Sequence, residues 1–254
     1  MKIVLLAAGI SSRLRPYTDN SPKCLLTIGR ACMLERTLDN LCNYGLTDII
    51  IVTGYRHTMI EDFVRNTYPE LPVTFVHNPH FESTNNIYSL WLTKKYVSGH
   101  DMMLLDSDIL FDKHILGQLL TSPHDNCLAL RHGMLGEEEI KVSIYPGTGT
   151  IREISKTIPL TQAIGESIGI EKFGVESTRK LFEIMDNMIL HHGMVNVFYE
   201  AAFQRAIKSG MMVYPVNTNQ YLCAEIDTLD DFISAENTIV PFLDAEHCRL
   251  VLSD

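Results

Sequence analysis

Gly9-Ile10-Ser11-Ser12-Arg13 places a glycine, two hydroxyls and an arginine directly after an apolar run, and a lysine follows a proline at Pro22-Lys23. These residue types suit an anion. Backbone N–H groups beyond the end of a strand, flanked by small side chains, can cradle a phosphate. Arg13 adds a planar fork of donors matched to phosphate oxygens, and Lys23 adds a mobile point charge. The expected ligand is a polyphosphate. Gly9 is the only glycine of the loop, so it is neither a Walker loop nor a dinucleotide fingerprint, which need several. A tight turn at Gly9 would still present the N–H groups that follow. A second apolar run ends in Asp106-Ser107-Asp108. Carboxylates at i and i+2 after a buried strand could hold a hard cation, or could serve as turn formers.

Such groups act together only if the strands that carry them end on one side. Lys2–Ala7, Asp48–Thr53, Pro72–His77 and Asp101–Leu105 read as strands, with Met33–Asn43, Met59–Asn66 and Asn86–Val97 as helices between them. Met33, Leu34, Leu38 and Leu41 recur at helical spacing, and Gly45 is a natural stop. This alternation predicts an α/β fold with βαβ crossovers, a mixed but mostly parallel central sheet, and ligands at the strands' carboxyl ends. The rhythm then changes. Cys127–Leu130, Ile140–Tyr145, Thr150–Ser155 and Ile164–Ile170 read as strands, with Gly147-Thr148-Gly149 as a hairpin turn. Val175–Ile189 and Val197–Ser209 read as helices, Met211–Val216 and Tyr221–Ile226 as strands, and a last helix begins near Thr228. No linker, charge block or repeat divides the chain. One domain is expected over 1–254, in which the second half builds a cap over the end that binds the polyphosphate.

Composition narrows the function classes. The 254 residues carry a formal net charge of −10, with 46% hydrophobic and 20% charged residues. An acidic surface argues against nucleic-acid and anionic-membrane partners, which need concentrated positive charge. No apolar run approaches the ~18 residues of a membrane helix. The six cysteines, Cys24, Cys32, Cys42, Cys127, Cys223 and Cys248, form no C-x-x-C pair, which points to reduced thiols and a cytoplasmic protein. His77-x-x-His80 and His191-His192 lack a third ligand and are not expected to bind metal.

The motifs resemble a known family. Leu5-Leu6-Ala7-Ala8-Gly9 with Ser12-Arg13-Leu14, then Pro22-Lys23, is similar to the signature of the sugar-phosphate and choline-phosphate nucleotidylyltransferases. The resemblance implies the Rossmann-like three-layer α/β/α fold of nucleotide-diphospho-sugar transferases. It puts catalytic roles on Arg13 and Lys23, and nucleotide contacts on Leu6, Ala7, Ala8, Gly9, Ser11, Ser12 and Ser107. It also implies Mg²⁺ as cofactor, held by Asp108 and by Asp227 of Ala224-Glu225-Ile226-Asp227. Thr228 with Asp231 offers a separate helix cap, which leaves Asp227 freer to ligate. Thr84-Asn85-Asn86-Ile87-Tyr88-Ser89-Leu90 resembles the corresponding segment of the CTP-dependent, phosphocholine-type subgroup. Asn85 and Asn86 offer donors and acceptors to a base edge, or cap a helix, or both.

Gly165-Glu166-Ser167-Ile168-Gly169-Ile170-Glu171-Lys172-Phe173 also resembles that subgroup, with Glu166 near the acceptor and able to attract a cationic headgroup. By the same resemblance Lys141 and Lys156 could hold the acceptor's phosphate. Two departures stand out: an acidic residue of the subgroup is absent at Tyr199-Glu200-Ala201-Ala202, and the acceptor half has no tryptophan. Quaternary ammonium groups favour an aromatic cage, for which Phe173, Phe198 and Tyr199 are the candidates. The implied function is transfer of CMP from CTP to a small phosphorylated or phosphonate acceptor, with release of pyrophosphate, by a monomer or small homo-oligomer. The alternatives are a sugar-1-phosphate nucleotidylyltransferase using UTP, dTTP or CTP, and a non-catalytic nucleotide-binding homologue.

Overall fold

The computed structural model describes residues 1–133 and 135–251, with side chains in the last helix described as far as 245. Cys248 therefore lies outside the described side chains, and the other five cysteines are free thiols. In chain order the elements are β1 (Lys2–Ala7), β2 (Thr27–Ile28), β3 (Ala31–Cys32), α1 (Met33–Asn43), β4 (Ile49–Thr53), α2 (His57–Thr67), β5 (Val73–His77), α3 (Asn86–Leu92), α4 (Lys94–Val97) and β6 (Met102–Asp106). They continue with β7 (Ile109–Phe111), α5 (His114–Thr121), β8 (Cys127–Arg131), β9 (Lys141–Ile144), β10 (Ile151–Ser155) and β11 (Gly165–Phe173). The chain closes with α6 (Val175–Asp186), α7 (Glu200–Lys208), β12 (Tyr214–Asn217), β13 (Cys223–Glu225), α8 (Leu229–Thr238) and α9 (Val240–Val251).

The main sheet runs β10-β9-β11-β6-β1-β4-β5, with β8 on β11 and β12 on β8. β6, β1, β4 and β5 are parallel, as are β8 and β12, while β11 is antiparallel to β6, β8 and β9. Strands alternate their side chains between faces, so a parallel sheet covered on both sides reads as continuous apolar sequence. β1 does this. Val4 and Leu6 join the core beneath α3, α6 and α7, and Ile3, Leu5 and Ala7 join the core beneath α1, α2 and α5. Each fully buried aliphatic side chain contributes about 1.5–3 kcal/mol.

Two predicted helices are interrupted. Asn86–Val97 is split at Thr93, whose hydroxyl donates to the Leu90 carbonyl at 2.6 Å, and Val175–Ile189 turns into a π-type turn at Asn187–His191. The short β7 and the helix α5 follow Asp108 where the sequence reading placed no element.

The chain fills the sheet outward from β1 to β4 and β5, then crosses back to place β6 on the other side of β1. The reversal leaves a crevice beyond the carboxyl ends of β1 and β6, the position where open α/β sheets bind ligands. Strand β13 completes it. It pairs antiparallel with β7, and the Ile226 N–H bonds to the Asp108 carbonyl at 2.9 Å, which brings the residue after it beside the end of β6. No helix among the described residues is long and apolar enough to cross a membrane.

Candidate active site

The crevice is a cleft of about 810 Å³ that reaches from the loop after β1 to strands β9–β11. Among the predicted residues it is lined by Leu6, Ala7, Ala8, Gly9, Ser11, Arg13, Lys23, Asn85, Asn86, Ser107, Asp108, Lys156, Glu166 and Asp227. Ser12, which opens a 3-10 turn, is exposed outside that lining.

The loop is built differently from the expectation. Ser11, not Gly9, takes the left-handed conformation (φ 53°, ψ 51°), and the turn is fastened where Thr18 Oγ1 and the Leu14 N–H donate to the Ser11 carbonyl. A Cβ on Gly9 would meet only Ser11 Oγ, at 4.0 Å. The glycine therefore leaves open space beside the loop rather than permitting the turn. The N–H groups of Gly9, Ile10 and Ser11 make no hydrogen bond among the described residues. They are donors awaiting an acceptor.

Lys23 begins a short 3-10 turn anchored by buried Cys24, and is itself only 7% exposed. Its ammonium lies 2.8 Å from Asp108 Oδ2 and 2.7 Å from Asp227 Oδ1. Burial works against its charge, but the two carboxylates prevail and raise its pKa. Arg13 reaches the second oxygen of Asp227 at 2.5 Å. Burial would lift the Asp227 carboxyl, yet Lys23 and Arg13 hold it below the usual carboxylate range. Thr228 and Asp231 form a capping box on α8, so Asp227 is not spent on the helix.

Glu225 is one of the acidic residues of the cleft that sequence reasoning left out. It stands two residues before Asp227, and its carboxylate, with those of Asp108 and Asp227, forms a group whose oxygens lie within 4.8 Å of one another. The signal was present in the i, i+2 spacing of Glu225-Ile226-Asp227 at a strand end. Burial of its carboxyl and the charges of Asp108 and Asp227 push its pKa up to about 7. Three carboxylates with no nitrogen or sulfur donor fit a hard divalent cation.

The two asparagines sit at the start of α3. Asn85 Oδ1 accepts the Asn86 N–H at 2.7 Å, and Asn86 Oδ1 accepts the Tyr199 N–H at 2.8 Å. Both face the cleft, and neither amide nitrogen makes a hydrogen bond among the described residues. Asn78, buried behind them, donates to Thr84 and Ser89, each at 3.1 Å, and holds the segment in place.

On the acceptor side several expectations fail for identifiable reasons. Phe173 and Tyr199 are buried in the core, 1% and 0% exposed, so neither ring lines the cleft. Tyr199 instead donates its hydroxyl to Asp106 Oδ2 at 2.8 Å. Lys141 is buried, donating to the carbonyls of Gly136 and Glu137 at 3.0 and 3.2 Å, and stays out of the cleft. Glu166 lines the cleft, but its register partner across β8–β11 is Arg131, which binds it at 2.9 Å. It is therefore not a free anion for a headgroup. Lys156 is at the cleft, paired with Glu138 at 3.1 Å. The acid that sequence reasoning passed over is Glu200, buried at the first turn of α7 and lining the wall; burial pushes its pKa up to about 7. Its only signal was position, next to Tyr199 in a segment already compared with the subgroup.

The sequence profile of the MobA-like NTP transferase domain matches residues 3–146. A choline-phosphate cytidylyltransferase of Streptococcus pneumoniae is 34% identical over 94% of this chain and 98% of its own. A 2-aminoethylphosphonate cytidylyltransferase of Lancefieldella rimae is 23% identical over 94% of each chain. The solved CTP:phosphocholine cytidylyltransferase of Streptococcus pneumoniae superposes with a TM-score of 0.74 at 22% identity, covering 92% of this chain and 97% of that one. The chain belongs to the family of nucleotidyltransferases with a MobA-like NTP transferase domain.

Proposed function

We propose that this member of the family moves CMP from CTP to a small phosphorylated or phosphonate acceptor and releases pyrophosphate. The observation that carries the reading is Lys23 fixed between Asp108 and Asp227, with Arg13 beside them, where β1 and β6 end in one cleft. The acceptor's phosphoryl oxygen is ionised at neutral pH and attacks the α-phosphorus in line with the departing pyrophosphate. No covalent enzyme intermediate is needed, so catalysis consists of positioning and charge neutralisation.

The free N–H groups of Gly9 to Ser11 and the guanidinium of Arg13 receive the β- and γ-phosphates and neutralise the leaving group. Lys23 stands between the donor and the acceptor and stabilises charge on the α-phosphate. The amide nitrogens of Asn85 and Asn86 donate to the acceptor atoms on the cytosine edge. Asp108 and Asp227, joined by Glu225, would hold Mg²⁺. Bound there, the cation would neutralise phosphate charge and draw donor and acceptor oxygens together. Residues 1–125 would thus mainly bind nucleotide and 126–254 mainly the acceptor.

A pyrophosphate-release assay with CTP, UTP, dTTP and GTP against phosphorylated amines and sugar 1-phosphates tests this reading. CTP with a phosphorylated amine is expected to lead. Preference for UTP or dTTP with a sugar 1-phosphate would establish the sugar-nucleotide alternative, and CTP binding without turnover of any acceptor would establish a non-catalytic homologue.

A further inference from the structure

The acceptor end of the cleft holds buried carboxyls with unpaired oxygens. Glu200 lines the wall at 7% exposure, and its Oε2 has no hydrogen-bond partner. Glu171 of β11 is fully buried. Ser167 Oγ donates to its Oε1 at 3.0 Å, and its Oε2 has no partner. Asp106 belongs to the same group, and one of its oxygens is taken by the Tyr199 hydroxyl at 2.8 Å. Burial, and then the neighbouring Glu200, raise the pKa of the Glu171 carboxyl well above its usual value. The Ser167 and Tyr199 hydroxyls are already spent, which leaves two buried carboxylate oxygens wanting donors. Native proteins seldom keep a buried polar atom unpaired unless something binds it.

The nearby cation does not fill the need. Lys156 is held by Glu138 at 3.1 Å and lies 5.0 Å above the ring of Phe198. That contact also occupies a face of Phe198, the one aromatic of the three expected that reaches the cleft. A trimethylammonium group brings charge without N–H donors and is held by a cage of aromatic faces, and of the three aromatics expected only Phe198 lines this cleft. A protonated amine brings N–H donors to the unpaired oxygen of Glu200, which lines the cleft.

On the footing of the transfer reading above, we infer that the acceptor carries a primary or secondary ammonium, bound through its N–H groups by Glu200. Trimethylated acceptors are selected against. A site that hydrogen-bonds a substrate N–H rejects the analogue lacking it far more strongly than an apolar pocket rejects an added methyl.

The test is a kcat/KM series with CTP and phosphoethanolamine, its N-methyl and N,N-dimethyl derivatives, phosphocholine, and ethyl phosphate as the acceptor without nitrogen. The expected result is a stepwise fall as N–H is replaced by methyl, with phosphoethanolamine exceeding phosphocholine about 30-fold or more. Glu200→Gln is expected to bring that ratio to within about threefold, with ethyl phosphate measured alongside as the acceptor that has no nitrogen. Phosphocholine used as well as phosphoethanolamine by the unmodified protein overturns the inference and leaves the transfer reading intact. Equal loss in Glu200→Gln on ethyl phosphate and on phosphoethanolamine overturns Glu200 as the amine contact. Failure of every acceptor to release pyrophosphate overturns the transfer reading itself. Should Glu200→Gln not fold, the order of acceptors in the unmodified protein decides alone.

Discussion

On the nucleotide side of the cleft the buried cation Lys23 rests between carboxylates at 2.8 and 2.7 Å, whereas on the acceptor side Glu171 and Glu200 each keep an oxygen without a partner. The first region is internally compensated, so a polyphosphate entering it must exchange partners with charges already satisfied. The second holds buried carboxyl oxygens without a donor, and burial raises the pKa of both carboxyls. One cleft thus contains charges paired within the protein and carboxyls left unpaired.

Four changes would break or sharpen this contrast. Asp108→Ala removes a carboxylate shared by Lys23 and the candidate metal group, and pyrophosphate release should fall at least about 1000-fold with circular dichroism unchanged. Near-normal Mg²⁺-dependent turnover in that variant would falsify the assignment. Lys23→Ala should lower kcat by about 100-fold or more while moving KM for CTP much less, because charge on the α-phosphate grows in the transition state. A change confined to KM would make Lys23 a uniform binder.

The third change concerns pH. The Glu200 carboxyl titrates near 7 because of burial, above its unfolded value near 4.3. Between those values the folded state holds a proton that the unfolded state has released, so this group stabilises the fold less as pH rises, by a few kcal/mol in all. Glu200→Gln removes that term. Its melting temperature should gain on the unmodified protein between pH 5 and pH 8, and parallel melting curves across that range would contradict the burial argument. Asp227 has the opposite sign: its depressed carboxyl contributes stability above the unfolded pKa and loses it as pH falls through the folded value. Arg13→Ala gives the smallest effect, about tenfold in KM for CTP, since Arg13 is exposed and one of several groups meeting the phosphates. Isothermal titration with CTP measures it directly.

Much of the nucleotide side was legible because its determinants are local. The apolar run ending at Gly9, the Pro22-Lys23 pair and the carboxylates closing β6 and following β13 are all read from short stretches of sequence. The acceptor side was not, because its residues are defined by distant partners. Arg131 claims Glu166 through the register of β8 on β11, the carbonyls of Gly136 and Glu137 claim Lys141, and the core claims Phe173 and Tyr199. The turn of the phosphate loop illustrates the same limit on a small scale. Glycine was the expected left-handed residue, yet Ser11 adopts that conformation because Thr18 and Leu14 both bond its carbonyl.

The sequence by itself determined an α/β sheet with a loop of glycine, serines and arginine after its first strand, because hydrophobic periodicity and residue type act over a few residues. Only the tertiary structure decided which charges meet. The pairing of β13 with β7 sets Asp227 beside Asp108 across more than a hundred residues of chain, and closes Lys23 between them. The packing of β11 against β6 and α7 brings the carboxyls of Asp106, Glu171 and Glu200 together. Electrostatic balance is a property of distances in space, which sequence spacing does not encode.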